Sequence, residues 1–192
     1  GDDSESLAVV GTAVKGTYTI TIADSLFAVQ GGSSATASSD YEADSMAVVG
    51  IGASYDPVTV TNTLFRAQQA TLTAEFRSSS AEACAVLGAA GQRSDTVITL
   101  TGVSFWAANS TINAVCPSGN DGVAVLGLAN YDSATIIATS VSITAMSSQI
   151  SGCGAAANSI VNGATGGVTQ ANTSISCCDA TPTGTTGSSC DN

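Results

Sequence analysis

Histidine is absent from the chain, lysine and arginine together number four, aromatics make up 5% of residues and charged residues 10%. Without histidine there is no Ser-His-Asp or Cys-His catalysis and no histidine-liganded metal site. The single lysine, Lys15, sits in Val14-Lys15-Gly16, which is no phosphate-binding loop. Fifteen acids against the four basic residues give a net charge of −11. That balance excludes a nucleic-acid partner, which needs basic side chains to displace counterions from phosphate. Anionic membranes are excluded on the same ground. No apolar run approaches the roughly 18 residues of a membrane-spanning helix, so membrane insertion is not expected. No cysteine pair has CxxC spacing, which disfavours a zinc or redox motif.

What is present is small and apolar. Of 192 residues, 44% are hydrophobic, with 27 Ser, 24 Thr and 20 Gly. A chain this rich in Val, Ile and Leu can bury a core, so disorder is expected only in the tail. Six cysteines are expected to form disulfides in an oxidising compartment. Asn109-Ser110-Thr111 and Asn172-Thr173-Ser174 match the glycosylation acceptor pattern. Together these point to an extracellular protein, secreted or on a cell surface. The first residue is Gly1 rather than methionine, as in a mature product or a fragment.

An internal repeat organises the chain. Ala8-Val9-Val10-Gly11 recurs as Ala47-Val48-Val49-Gly50, Ala85-Val86-Leu87-Gly88 and Ala124-Val125-Leu126-Gly127, with Ile160-Val161-Asn162-Gly163 as a decayed fifth copy. The glycine positions differ by 39, 38, 39 and 36. Phe27, Phe65, Phe105 and Ile143 keep the same phase. They are preceded by Thr19-Ile20-Thr21-Ile22, Thr59-Val60-Thr61, Thr99-Leu100-Thr101 and Thr135-Ile136-Ile137. A third short run follows in Thr71-Leu72-Thr73, Thr111-Ile112-Asn113 and Gln149-Ile150-Ser151, weakest in the first copy at Ser34-Ala35-Thr36-Ala37.

Each copy therefore holds three short segments alternating with period two, separated by Gly, Ser, Asn and Asp turns. A unit that cannot bury its own inner face must stack on its neighbours. The expected fold is all-β: a three-sided parallel β-helix of four coils and a degenerate fifth, about 38 residues per coil. Residues 1–178 form the solenoid, with repeats near 5–43, 44–81, 82–120, 121–156 and 157–178. Residues 179–192 are a Thr/Gly/Ser-rich tail. Parallel stacking at about 4.8 Å makes Phe27, Phe65, Phe105 and Ile143 an internal ladder. An antiparallel sandwich is the other candidate, but it offers no reason for columns at this period.

The phrases Val60-Thr61-Asn62-Thr63-Leu64-Phe65 and Val103-Ser104-Phe105-Trp106-Ala107-Ala108-Asn109 resemble the right-handed parallel β-helix group that includes pectin-lyase-like domains, and more loosely surface β-helix arrays. The resemblance spans about residues 5–178. It implies a fold and carries over no catalytic residue.

Four acids, Glu5, Asp44, Glu82 and Asp121, stand three residues before each Ala of the Ala-Val-x-Gly segments. Stacked on one corner they form a carboxylate row, either a hydrated turn or a set of Ca²⁺ contacts. Asp40, Glu42 and Asp44 alternate, which places three carboxylates on one side of an extended strand. Arg66, Arg77 and Arg93 fall in different phases, with no acid cluster shared among them. Thr19/Thr21, Thr59/Thr61 and Thr99/Thr101 repeat a Thr-x-Thr spacing resembling the ice-binding face of β-solenoid antifreeze proteins. Cys116, Cys153 and Cys190 are spaced by 37 and 37, so Cys116–Cys153 is the first expected disulfide and Cys177 or Cys178 to Cys190 the second. Cys84 shares a column with Leu7, Met46 and Val123, where a buried thiol competes with pairing.

Functionally, the expected protein is not an enzyme. It is a β-helical structural subunit of a filament or surface appendage, partnered by other copies of itself because Gly1 to Ser4 cannot cover the first coil. The alternatives are an adhesin binding glycans, an ice-binding protein and a polysaccharide-degrading enzyme. Tyr18, Tyr55, Tyr131 and Trp106 are the aromatics a binding face would use.

Overall fold

The computed structural model describes residues 5–15, 18–39, 43–76, 84–93, 95–115, 123–131, 133–151, 159–163, 168–171, 174–178 and 181–183. They form twenty strands in four parallel five-stranded sheets, with one strand per coil in each sheet. Sheet I holds β1 (Glu5–Lys15), β5 (Ala43–Ser54), β9 (Cys84–Gln92), β13 (Val123–Tyr131) and β17 (Ser159–Gly163). Sheet II holds β2 (Ile20–Ala23), β6 (Pro57–Thr61), β10 (Val97–Thr101), β14 (Thr135–Thr139) and β18 (Val168–Ala171). In sheet III are β3 (Leu26–Gln30), β7 (Leu64–Gln68), β11 (Ser104–Ala108), β15 (Ser142–Met146) and β19 (Ser174–Cys178). Sheet IV consists of β4 (Ser34–Ser39), β8 (Thr71–Phe76), β12 (Thr111–Val115), β16 (Gln149–Ser151) and β20 (Thr181–Thr183). The chain is a parallel β-solenoid.

Each coil carries four strands where three alternating segments are expected, because the Ala-Val-x-Gly segment is itself the longest strand. It shows no alternation because it is buried on both faces: Met46, Ala47, Val48, Val49 and Ile51 are all fully buried. A parallel strand covered on both sides reads as a continuous apolar run. The short strands keep one face out, with the burial of β7 alternating residue by residue.

The repeated glycine is a backbone requirement. A Cβ on Gly11 would lie 2.0 Å from the Gly50 carbonyl oxygen, one on Gly50 1.9 Å from that of Gly88, and one on Gly88 1.9 Å from that of Gly127. In three of the four, φ is also positive, at 144° in Gly11, 152° in Gly50 and 120° in Gly127. The column ends there. Leu126 faces Val161 and Ala129 faces Gly163, so Gly163 stands opposite Ala129 and does not continue the glycine column.

Inside, the aromatic ladder is continuous. Phe27 and Phe65 stack with ring centroids 5.0 Å apart, and Phe65 and Phe105 at 5.2 Å. Ile143 faces Phe105, and Ile175 faces Ile143. Ile20, Val58, Ile98, Ile136 and Val168 form an equivalent column in sheet II. The fifth coil places a strand in every sheet, the last being Thr181–Thr183 against Gln149–Ser151, inside the segment expected as tail.

Corners repeat as faithfully as strands. Asp24, Asn62, Gly102 and Ser140 all have positive φ between sheets II and III, and Gly31, Gln69, Asn109 and Ser147 between sheets III and IV. In the first three coils their N–H groups bond to the next coil: Asn62 donates to the Thr101 carbonyl at 2.9 Å and Gln69 to the Ala108 carbonyl at 2.9 Å. The ladder thus continues around the bend and holds a conformation that side chains otherwise avoid.

A serine column secures one corner. The Ser110 hydroxyl donates to the Ala108 carbonyl (2.8 Å) and accepts the Ala70 N–H (3.2 Å); Ser148 repeats this with Met146 and Ser110. Ser110 is 4% exposed. Ser110→Ala strands the buried Ala70 N–H and is expected to cost about 1–3 kcal/mol, read as a lower denaturant midpoint with unchanged slope.

Candidate functional site

Period-two alternation sends every second residue of sheet III outward, and parallel register stacks these residues into columns. One outward column runs Leu26, Leu64, Ser104, Ser142; its neighbour runs Ala28, Arg66, Trp106, Thr144. Small serines beside large Arg66 and Trp106 leave a step in the surface. The result is an open cleft of about 390 Å³ lined by Leu64, Arg66, Ser104, Trp106 and Ser142.

The groups in it are chemically specific. The Arg66 guanidinium carbon lies 5.1 Å from the centroid of the Trp106 ring, within the range in which the ring quadrupole attracts a cation. Arg66 Nε is buried and has no hydrogen-bond partner. The Ser142 hydroxyl donates to Ser104 Oγ at 2.7 Å, which leaves the Ser104 proton to be given elsewhere. Among the described residues no carboxylate lines the cleft. A cation, an aromatic ring, two hydroxyls and one aliphatic side chain meet on a rigid sheet.

Sequence reasoning put Arg66, Arg77 and Arg93 in different phases and named Trp106 alongside the tyrosines as a candidate binding aromatic, and did not join Arg66 to Trp106. The signal was available: each directly follows a ladder phenylalanine. A second such pair lies at the corner between sheets I and II, where the Arg93 guanidinium carbon stands 5.6 Å from the centroid of the Tyr55 ring. Tyr55 and Tyr18 are both exposed there. Beneath them Asp56 is fully buried and accepts the Tyr18 N–H at 2.8 Å, while its Oδ2 has no hydrogen-bond partner.

The other expected sites fare as follows. Glu5 faces Ala43 and Ser6 faces Ser45, so Asp44 is the extra residue of a β-bulge and shares no register position with Glu5. The carboxylate row is broken at its first step; Glu82 and Asp121 lie outside the described residues, as do Asp40 and Glu42. Among the described residues no group of three or more His, Cys, Asp or Glu gathers as a metal site. Cys116, Cys153 and Cys190 lie outside the described residues, while Cys177 and Cys178 face Ala145 and Met146 in register. Asn109 is exposed at its corner, and Asn172 lies outside the described residues.

The threonine rows are shifted from their expected pairing. Thr21, Thr59 and Thr99 share one column, which continues as Ile137; Ala23, Thr61, Thr101 and Thr139 share the next. Motif likeness pairs Thr19 with Thr59, but the first corner of the coil varies in length, and register places Thr21 there.

Comparison with known proteins finds no family model, no curated relative and no solved structure that matches this chain.

Proposed function

We propose that this chain is an extracellular structural protein, a β-helical unit of a fibre or surface appendage whose copies associate coil upon coil. One observation carries the reading. In every sheet the first-coil strand is terminal, so β1, β2, β3 and β4 each present a strand edge with no partner among the described residues. The columns behind that edge are incompletely covered. Val9 is 42% exposed where Val48 and Val86 are fully buried, and Phe27, Ile20 and Ile22 are only partly buried against the core. Open edges backed by apolar ladders invite a further strand, and a second copy offers matching columns. Such head-to-tail contact extends without closing.

Sedimentation velocity and negative-stain microscopy of the full secreted chain test this. Filaments or concentration-dependent oligomers are expected, and replacing Val9 by lysine is expected to disperse them without altering the circular dichroism spectrum. A monodisperse monomer at all concentrations overturns the reading.

A second reading, a carbohydrate-binding surface protein, is favoured by the Arg66–Trp106 cleft. Sheet faces of a solenoid are rigid platforms, and a tryptophan with flanking hydroxyls is suited to a sugar ring. The two readings are compatible, since stacking uses the coil edge and the cleft lies on an outward face.

A further inference from the structure

The geometry points to the Arg66–Trp106 cleft as a site for the terminal sugar of a glycan that carries a single carboxylate. This rests on the second reading above and names its ligand. Arg66 is one of only four basic residues in a chain of net charge −11. It stacks on Trp106, and among the described residues none lining the cleft is a carboxylate that would neutralise it. A guanidinium so placed binds a carboxylate through paired N–H donors. Stacking on the ring restrains it, which lowers the ordering cost of that contact.

The remaining lining fits the rest of a sugar. Ser104 has a hydroxyl proton to donate and Ser142 retains acceptor capacity, so ring hydroxyls find partners of both kinds. Trp106 and Leu64 supply apolar surface for the C–H face of the ring. The cleft, at about 390 Å³, holds one or two sugar rings and not a long chain.

Charge limits the ligand further. Beyond the cleft the surface belongs to a chain with fifteen acids, so a polyanionic saccharide gains one favourable contact and meets repulsion along the rest of its length. A ligand with a single charge at its end has the contact without that penalty.

Trp106 is the only tryptophan, so its fluorescence reports the site directly. The full chain is titrated with sialyllactose, lactose and a linear hexuronate trimer, and each titration is repeated at high salt. Sialyllactose is expected to bind at least about tenfold more tightly than lactose, the contribution of one charge-assisted contact, and to weaken with salt. Arg66→Gln is expected to abolish the difference between the two, and Arg66→Lys to retain part of it; thermal melts show whether each variant is folded. Equal binding of lactose and sialyllactose overturns the carboxylate assignment and leaves glycan binding standing. Tighter binding of the hexuronate trimer overturns the single-charge assignment. No response to any of the three, with no signal on a broad glycan array, overturns this inference and the carbohydrate reading together.

Discussion

Gly50→Ala is expected to lower stability by about 4 kcal/mol or more, the range reserved for severe steric or strain defects. The added methyl group would stand 1.9 Å from the Gly88 carbonyl oxygen and 2.9 Å from its carbon. Those atoms belong to a strand buried on both faces and cannot move aside without breaking the ladder on the far side. The left-hand φ of 152° adds strain to the clash. Gly32 is the control, since its φ is 80° and nothing lies within 4 Å of a Cβ built there. Gly32→Asn is expected to cost about 1 kcal/mol or less, because asparagine tolerates this region and nothing crowds it. Urea unfolding of both variants tests the contrast. Equal midpoints would show that the glycine column is not packed as described.

Phe65→Ala is the second large effect, at about 3–5 kcal/mol. Phe65 is fully buried, with aromatic neighbours on both sides at 5.0 and 5.2 Å. Truncation removes two ring contacts and opens a cavity between coils that are tied together by hydrogen bonds and cannot collapse onto it. Phe65→Leu is expected to lose about 1–2 kcal/mol, since apolar volume is largely kept and only the stacking is lost. Phe27→Ala should cost less than Phe65→Ala, because Phe27 ends the ladder and is only partly buried. A reversed order would mean that the ladder does not run through the core in this sequence.

The period was readable because its cause is a hard steric limit. Only glycine fits at Gly11, Gly50 and Gly88, each against the carbonyl of the next glycine in the column, so the residue recurs while its surroundings vary. The ladder from Phe27 to Ile143 was readable for a related reason, since stacked inner positions share shape and polarity. The count of strands per coil was not, because alternation reveals a strand with one face in solvent and Met46 to Ser54 has both faces buried. Exact register at the first corner was also hidden. In the second coil two positions separate Ser54 from Pro57, whereas in the third four separate Gln92 from Val97. Matching the Thr-x-Thr motif from coil to coil therefore sets Thr19 against Thr59, where register places Thr21. The cleft escaped because arginine and tryptophan are unlike as letters and alike only in length and planarity. Their column becomes visible once each is counted from its ladder phenylalanine.

The in-register stack is tested most directly by nuclear Overhauser contacts in a sample labelled only at phenylalanine and isoleucine. The ring protons are expected to form a linear chain, Phe27 to Phe65 to Phe105, continuing from Phe105 to the methyl groups of Ile143. No contact is expected between Phe27 and Phe105, and Phe65→Leu should remove both links through the middle ring while the Phe105–Ile143 contact remains. A direct Phe27–Phe105 contact in the unsubstituted chain, or the absence of Phe65–Phe105 contact in a folded sample, would contradict the parallel solenoid on which every other conclusion depends.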